Sequence, residues 1–172
     1  YVPENLVTDG VGTVGGLFNK NGTHFGWVVE VDPHDPSSIP VKHTWLGRFR
    51  HENVSIRTAP NEVVIAYLGD DRTNGHVYKF VSNGRFVPGS AANKTLLSSG
   101  RLYSALFNAD GSGRWIELSQ TTPLNPYPGQ AIPTIPSGAT TLGQIYAKQG
   151  NLLIDSFRAS NLAGATPTGR PE

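Results

Sequence analysis

Three places in the chain bring together side chains suited to holding a cation or a phosphate. Gly69-Asp70-Asp71-Arg72 sets two adjacent carboxylates at the end of the most apolar run in the sequence, Glu62 to Leu68. Neighbouring carboxylates repel, and burial against a core would raise their pKa. A hard cation would relieve both effects, because calcium and similar ions take carboxylate oxygens. Arg48-Phe49-Arg50-His51-Glu52 groups polar and ionisable residues at the end of another strand-like run. Arg170 and Glu172 stand two apart at the chain end, on one face of an extended segment. Arginine clamps a phosphate through its fork of N–H donors, and glutamate ligates metals. Spacing alone also fits plainer readings: an exposed turn for Asp70-Asp71, and a loose tail for Thr166 to Glu172.

Other motifs carry less chemistry. Gly10-Val11-Gly12-Thr13-Val14-Gly15 matches a dinucleotide fingerprint, but Leu17 to Gly22 reads as another turn, where that motif needs a helix. Asn108-Ala109-Asp110-Gly111-Ser112 opens like a calcium loop and lacks the bidentate glutamate further on, so a hairpin turn is favoured. Asn21, Asn53 and Asn93 begin glycosylation triplets, which arise often by chance. The histidines His24, His34, His43, His51 and His76 show no metal-ligand spacing. Trp27, Trp45 and Trp115 could form a sugar-stacking platform, but on strands they read more simply as core.

The elements that must position these residues read as strands. Phe25 to Asp32, Val41 to Phe49, Glu62 to Leu68 and His76 to Val81 are rich in bulky and β-branched residues, and Asn83-Gly84 reads as a tight turn. Leu102 to Phe107 and Arg114 to Leu118 flank a turn sequence and form a hairpin. Five prolines between 122 and 138 mark an extended surface loop. Leu152 to Leu162 is the one helical spacing, with Gly164 suited to its C-terminal cap. The fold class is therefore all-β and antiparallel, a sandwich or a propeller, with enough strands for about two four-stranded blades.

Composition narrows the function classes. A net charge of +1 gives no reason to expect a nucleic acid or an anionic membrane as partner. No apolar run approaches the roughly 20 residues of a membrane-spanning helix. The sequence has no cysteine, which removes disulfides and thiol ligands within it. It also has no methionine and begins at Tyr1, so a processed product or a fragment is expected.

In order along the chain, Phe25-Gly26-Trp27-Val28-Val29-Glu30-Val31-Asp32-Pro33, Leu46-Gly47-Arg48-Phe49-Arg50-His51-Glu52 and Tyr67-Leu68-Gly69-Asp70-Asp71-Arg72 resemble the PhoX family of secreted bacterial alkaline phosphatases. Val77 to Ser82, Phe107 to Gly113, and Gly164-Ala165-Thr166-Pro167 with Arg170-Pro171-Glu172 continue the resemblance. It spans residues 24–118 and 150–172. It implies a β-propeller that carries an iron and calcium cluster and hydrolyses phosphate monoesters. Glu52, Asp71 and Glu172 then match metal-ligating positions, with Asp70 as the alternative to Asp71. Arg170 matches the catalytic arginine that contacts the substrate phosphate. The resemblance also implies a secreted protein, periplasmic or extracellular.

Departures accompany the match. The family's bridging cysteine lies upstream of this region and a further carboxylate ligand lies downstream. Residues 8–23 and the proline-rich loop diverge, and Asn53-Val54 replaces small residues. The expectation is a middle third of a PhoX-like propeller, one 1–172 segment with a loop at 120–140. Its partners would be phosphate monoesters and the remaining propeller segments, and alone it would form neither the whole cluster nor a complete catalyst. The alternative is a non-catalytic PhoX-like scaffold or complex subunit.

Overall fold

The structure, a computed structural model, describes residues 22–129 and 135–171. The glycine-rich fingerprint at 10–15 and Glu172 lie outside the described residues.

The fold is mostly β. A short ribbon pairs β1 (Val28–Glu30) with β2 (Val41–His43). A five-stranded antiparallel sheet follows, in the order β3 (His51–Arg57), β4 (Val63–Asp70), β6 (Val77–Arg85), β7 (Gly100–Phe107) and β8 (Gly113–Glu117). A second ribbon pairs β5 (Thr73–Gly75), which interrupts the β4–β6 connection, with β9 (Thr168–Gly169) near the chain end. The helices α1 (Gln149–Ile154) and α2 (Ser156–Ala163) lie between β8 and β9.

The sheet has five strands where four-stranded blades were expected, and the described residues contain one such sheet, not two. They close no propeller ring. Its meander order follows from short antiparallel connections, which join sequential strands side by side. β3 and β8 form its edges.

The hydrophobic core lies between one face of this sheet and the helices. Ala66, Leu68, Tyr78, Phe80, Leu102 and Ile116 from the sheet meet Leu152, Leu153, Ala159 and Leu162 from the helices. Strand alternation supplies the sheet's contribution: Val64, Ala66 and Leu68 are buried while Tyr67 is exposed.

Four local readings need correction. The strand expected over Phe25 to Asp32 shrinks to Val28–Glu30. The one expected over Val41 to Phe49 stops at His43, where a 3-10 turn, Thr44–Leu46, leads into Gly47. Gly47 has φ 80, and a Cβ there would lie 2.7 Å from Leu102 Cδ2, so the chain can turn here only with glycine. Asn83-Gly84 is not a hairpin turn but a bulge within β6. The pairing moves from Ile65↔Val81 to Val63↔Arg85, and the Ser82 hydroxyl stabilises the extra residues by accepting from Val64 N at 2.8 Å and donating to Gly84 O at 2.7 Å. The single expected helix is two, broken at Asp155, whose buried carboxylate accepts the Tyr146 hydroxyl at 2.9 Å.

Other readings hold. Gly164 caps α2 in the left-handed region with φ 85. The turn before β8 is built as expected, with Asp110 Oδ1 accepting from both Ser112 N (2.9 Å) and Ser112 Oγ (2.6 Å). The three tryptophans make no shared platform. Trp45 packs against the core, Trp27 donates to Thr23 O, and Lys79 sits over the Trp115 ring at 4.5 Å.

Candidate functional site

β3 and β4 pair with His51 opposite Asp70. Side chains alternate across a sheet, so His51 and Asp70 share one face and Asp71 turns away from it, while the pairing slips by one residue between His51 and Val54 and leaves Glu52 exposed in that bulge. Asp71 continues the ladder by donating its N–H to Arg50 O at 2.9 Å. The two acidic motifs of the sequence are thus neighbouring strand ends.

Asp70 and Asp71 differ sharply. Asp70 is fully buried. Its Oδ1 accepts Arg50 N–H at 3.1 Å, and its Oδ2 has no partner. Burial pushes its pKa up to about 6, against the attraction of Arg72 and Arg50. His51 has the same kind of environment: Nε2 lies 3.0 Å from Gly47 O, Nδ1 is buried without a partner, and burial pushes its pKa down to about 4. Phe49 stacks on Tyr78 at 4.1 Å and lies 3.8 Å from the His51 ring, closing this side to water.

Asp71 faces outward and is met by Arg170. Nε donates to Oδ1 at 2.7 Å and the Arg170 terminal nitrogen to Oδ2 at 3.1 Å, joining residues 99 positions apart. Hydrogen bonding from Arg170 holds the Asp71 carboxyl below the usual carboxylate range, so it is an anion.

The last segment does not hang loose. Thr166 N donates to Ala105 O at 3.0 Å, and Phe107 N donates to Thr166 Oγ1 at 2.9 Å. Buried His76 places its ring nitrogens 3.0 Å from Thr166 O and 2.8 Å from Asn161 Oδ1. Thr73 then pairs with Gly169 and Gly75 with Thr168. Gly75 permits the close turn, because a Cβ on it would lie 2.1 Å from Asp70 O. Arg170 emerges from this ladder at φ 63, a left-handed conformation for a non-glycine residue placed before a proline. Sterics disfavour that backbone, and such outliers cluster at functional sites.

Of the residues singled out in sequence, the fold therefore joins Asp71 and Arg170 directly and places Glu52, exposed, on the adjoining strand. Among the described residues no three acidic or histidine side chains converge as a metal site. Asp71 and Glu52 are nonetheless hard oxygen donors at neighbouring strand ends, and carboxylates of this kind fit part of the ligand set of a hard cation. A cleft of about 140 Å³ is lined by Asn53, Ser55, Tyr67, Leu68, Gly69, Val77 and Pro171, with neither Glu52 nor Asp71 in its wall. Sequence reasoning did not foresee the Asp71–Arg170 pair. The positive φ at Arg170 has no signature in residue type.

A family model described as alkaline phosphatase PhoX matches residues 7–172. The match extends further toward the N-terminus than the resemblance over residues 24–118 and 150–172, taking in all of residues 8–23, the segment read as divergent. Among solved structures, Pseudomonas fluorescens PhoX in complex with vanadate, a transition state analogue, is 36% identical with a TM-score of 0.70. The alignment covers 87% of this chain and 25% of that one, so the chain spans a quarter of its length. No curated protein matches.

Proposed function

The chain belongs to the PhoX family of alkaline phosphatases, and from that premise we propose that it supplies part of the site of a metal-dependent phosphomonoesterase. The observation that carries the reading is the paired hydrogen bond between Arg170, held in a strained backbone, and the anionic Asp71. Nothing in core packing requires an arginine there, since its side chain is 60% exposed.

In this reading Glu52, Asp71 and Glu172 are the carboxylates that hold iron and calcium. When bound, these ions supply Lewis acidity toward the phosphoryl oxygens. The chain's own residues do the rest. Asp71 offers two carboxylate oxygens, now engaged by Arg170. Released from Asp71, Arg170 presents the same fork of donors to two oxygens of a phosphoryl group and stabilises charge spread over its equatorial oxygens. Buried Asp70 accepts the Arg50 N–H and sets the strand end on which Asp71 sits. The five-stranded sheet is then part of a propeller completed by other segments, and the protein works outside the cytoplasm, in the periplasm or beyond.

The test uses the protein at its full natural length. Hydrolysis of p-nitrophenyl phosphate is measured beside iron and calcium content for wild type, Asp71→Asn and Glu52→Gln. Both variants should lose bound metal and at least about 100-fold in turnover. Full metal content with undiminished turnover in both would overturn the assignment.

A further inference from the structure

At the open end of the β3–β4 pair the chain forms a second cleft, of about 190 Å³, against the α1–α2 junction. It is lined by Arg48, Arg50 and Arg72, with Phe49, Ile154 and Phe157 as apolar wall. We propose that this cleft binds a small phosphoryl-type oxyanion bearing a modest apolar substituent, at a site separate from Arg170.

The donor inventory points to an anion. Arg48 is a fixed wall: its Nε donates to Phe25 O at 2.8 Å, one terminal nitrogen reaches Ile154 O at 3.4 Å, and its backbone N–H donates to Leu153 O at 2.9 Å. Arg72 lays its guanidinium over the Phe157 ring at 3.9 Å. Stacking uses the guanidinium face and leaves the in-plane N–H donors for a ligand. Arg50 is exposed, and among the described residues its guanidinium makes no hydrogen bond or ion pair. Three guanidinium groups bordering one small cleft, two of them with free donors, favour an anion there beside the carboxylates that flank them.

The acids nearby flank the cleft, but among the described residues none makes a hydrogen bond or ion pair with the Arg50 or Arg72 guanidinium. Asp155, on the cleft wall, is buried and accepts Tyr146 OH. Asp71 is clamped by Arg170, and Asp70 faces the core.

Charge and shape then choose the ligand. A phosphoryl group carries about −1.5 to −2 charge and three acceptor oxygens, against two oxygens and a single charge on a carboxylate. That suits two free guanidinium edges with a third beside them. The volume equals about six waters at roughly 30 Å³ each, room for a small anion and too little for a nucleotide. The side chain of Ile154, beside the Phe157 ring that Arg72 covers, offers an apolar substituent a surface to cover.

The experiment titrates phenylphosphonate, whose C–P bond resists hydrolysis, and separately inorganic phosphate, into the chelator-treated full-length protein by calorimetry. All variants carry Arg170→Gln, which silences the other phosphate position. Phenylphosphonate should still bind in that background, more tightly than inorganic phosphate. Adding Arg50→Gln, an exposed change that leaves folding intact, should weaken it at least tenfold, as should Arg72→Gln. Unchanged binding in both double variants, or no binding once Arg170 is replaced, would overturn the proposal. Either result would leave the phosphatase reading standing, because that reading is tested by metal content and turnover.

Discussion

Asp70 and His51 face each other across β3 and β4 and are shifted in opposite directions by the same burial, which makes stability against pH a sharp test of this site. Asp70 rises from an ordinary 3.8 to about 6. The folded state therefore binds the proton more tightly than the unfolded chain, and this contribution is fully present below pH 4 and is lost as pH rises toward 6. Its size is the shift times 1.36 kcal/mol per unit, about 3 kcal/mol. His51 falls from 6.5 to about 4. The folded state rejects that proton, so stability rises between pH 4 and 6.5 by a similar amount, about 3 kcal/mol. In the metal-free wild type the two nearly offset each other. Asp70→Asn removes one side, and its unfolding free energy should climb by about 3 kcal/mol from pH 4 to 6.5 relative to wild type. Urea denaturation at half-unit pH intervals with chelator present reads this directly. Parallel curves for the two proteins would refute the burial of Asp70 on which the argument depends.

Gly75→Ala drives a Cβ into Asp70 O, so the β5–β9 ribbon must shift; under the proposed function, hydrolysis of p-nitrophenyl phosphate by the full-length protein should fall at least about tenfold. Arg170→Ala breaks an exposed ion pair and should change unfolding free energy by less than about 1 kcal/mol while removing most turnover. A loss of several kcal/mol would make Arg170 a structural residue. His76→Leu strips the polar partner from Asn161 and Thr166 in the core and should cost about 2–4 kcal/mol, with amide exchange at Thr168 accelerated.

Local sequence determined much of this protein. Alternation of Val64, Ala66 and Leu68 with exposed Tyr67 places β4 and its buried face, and the Asn108–Gly113 turn with its flanking runs places the β7–β8 hairpin. Gly164 ends α2 because only a residue tolerant of positive φ fits its cap. These features depend on neighbours a few positions away, so a linear reading finds them. The resemblance blocks likewise singled out Glu52, Asp71 and Arg170 as candidates. Tertiary structure decided which carboxylate of Asp70-Asp71 faces out, because that parity is set by pairing with β3 and not by the residues themselves. It decided that Asn83-Gly84 is a bulge, since the register of β4 and the Ser82 hydroxyl outweigh a turn-forming dipeptide. It brought Arg170 to Asp71 through a ladder held by His76, Thr166 and Gly75, each remote in sequence from the contact it makes. And it gathered Arg48, Arg50 and Arg72 around one cleft, a concentration of charge invisible in a chain whose net charge is +1. Electrostatics and hydrogen bonding act through space, and only the folded backbone sets those distances.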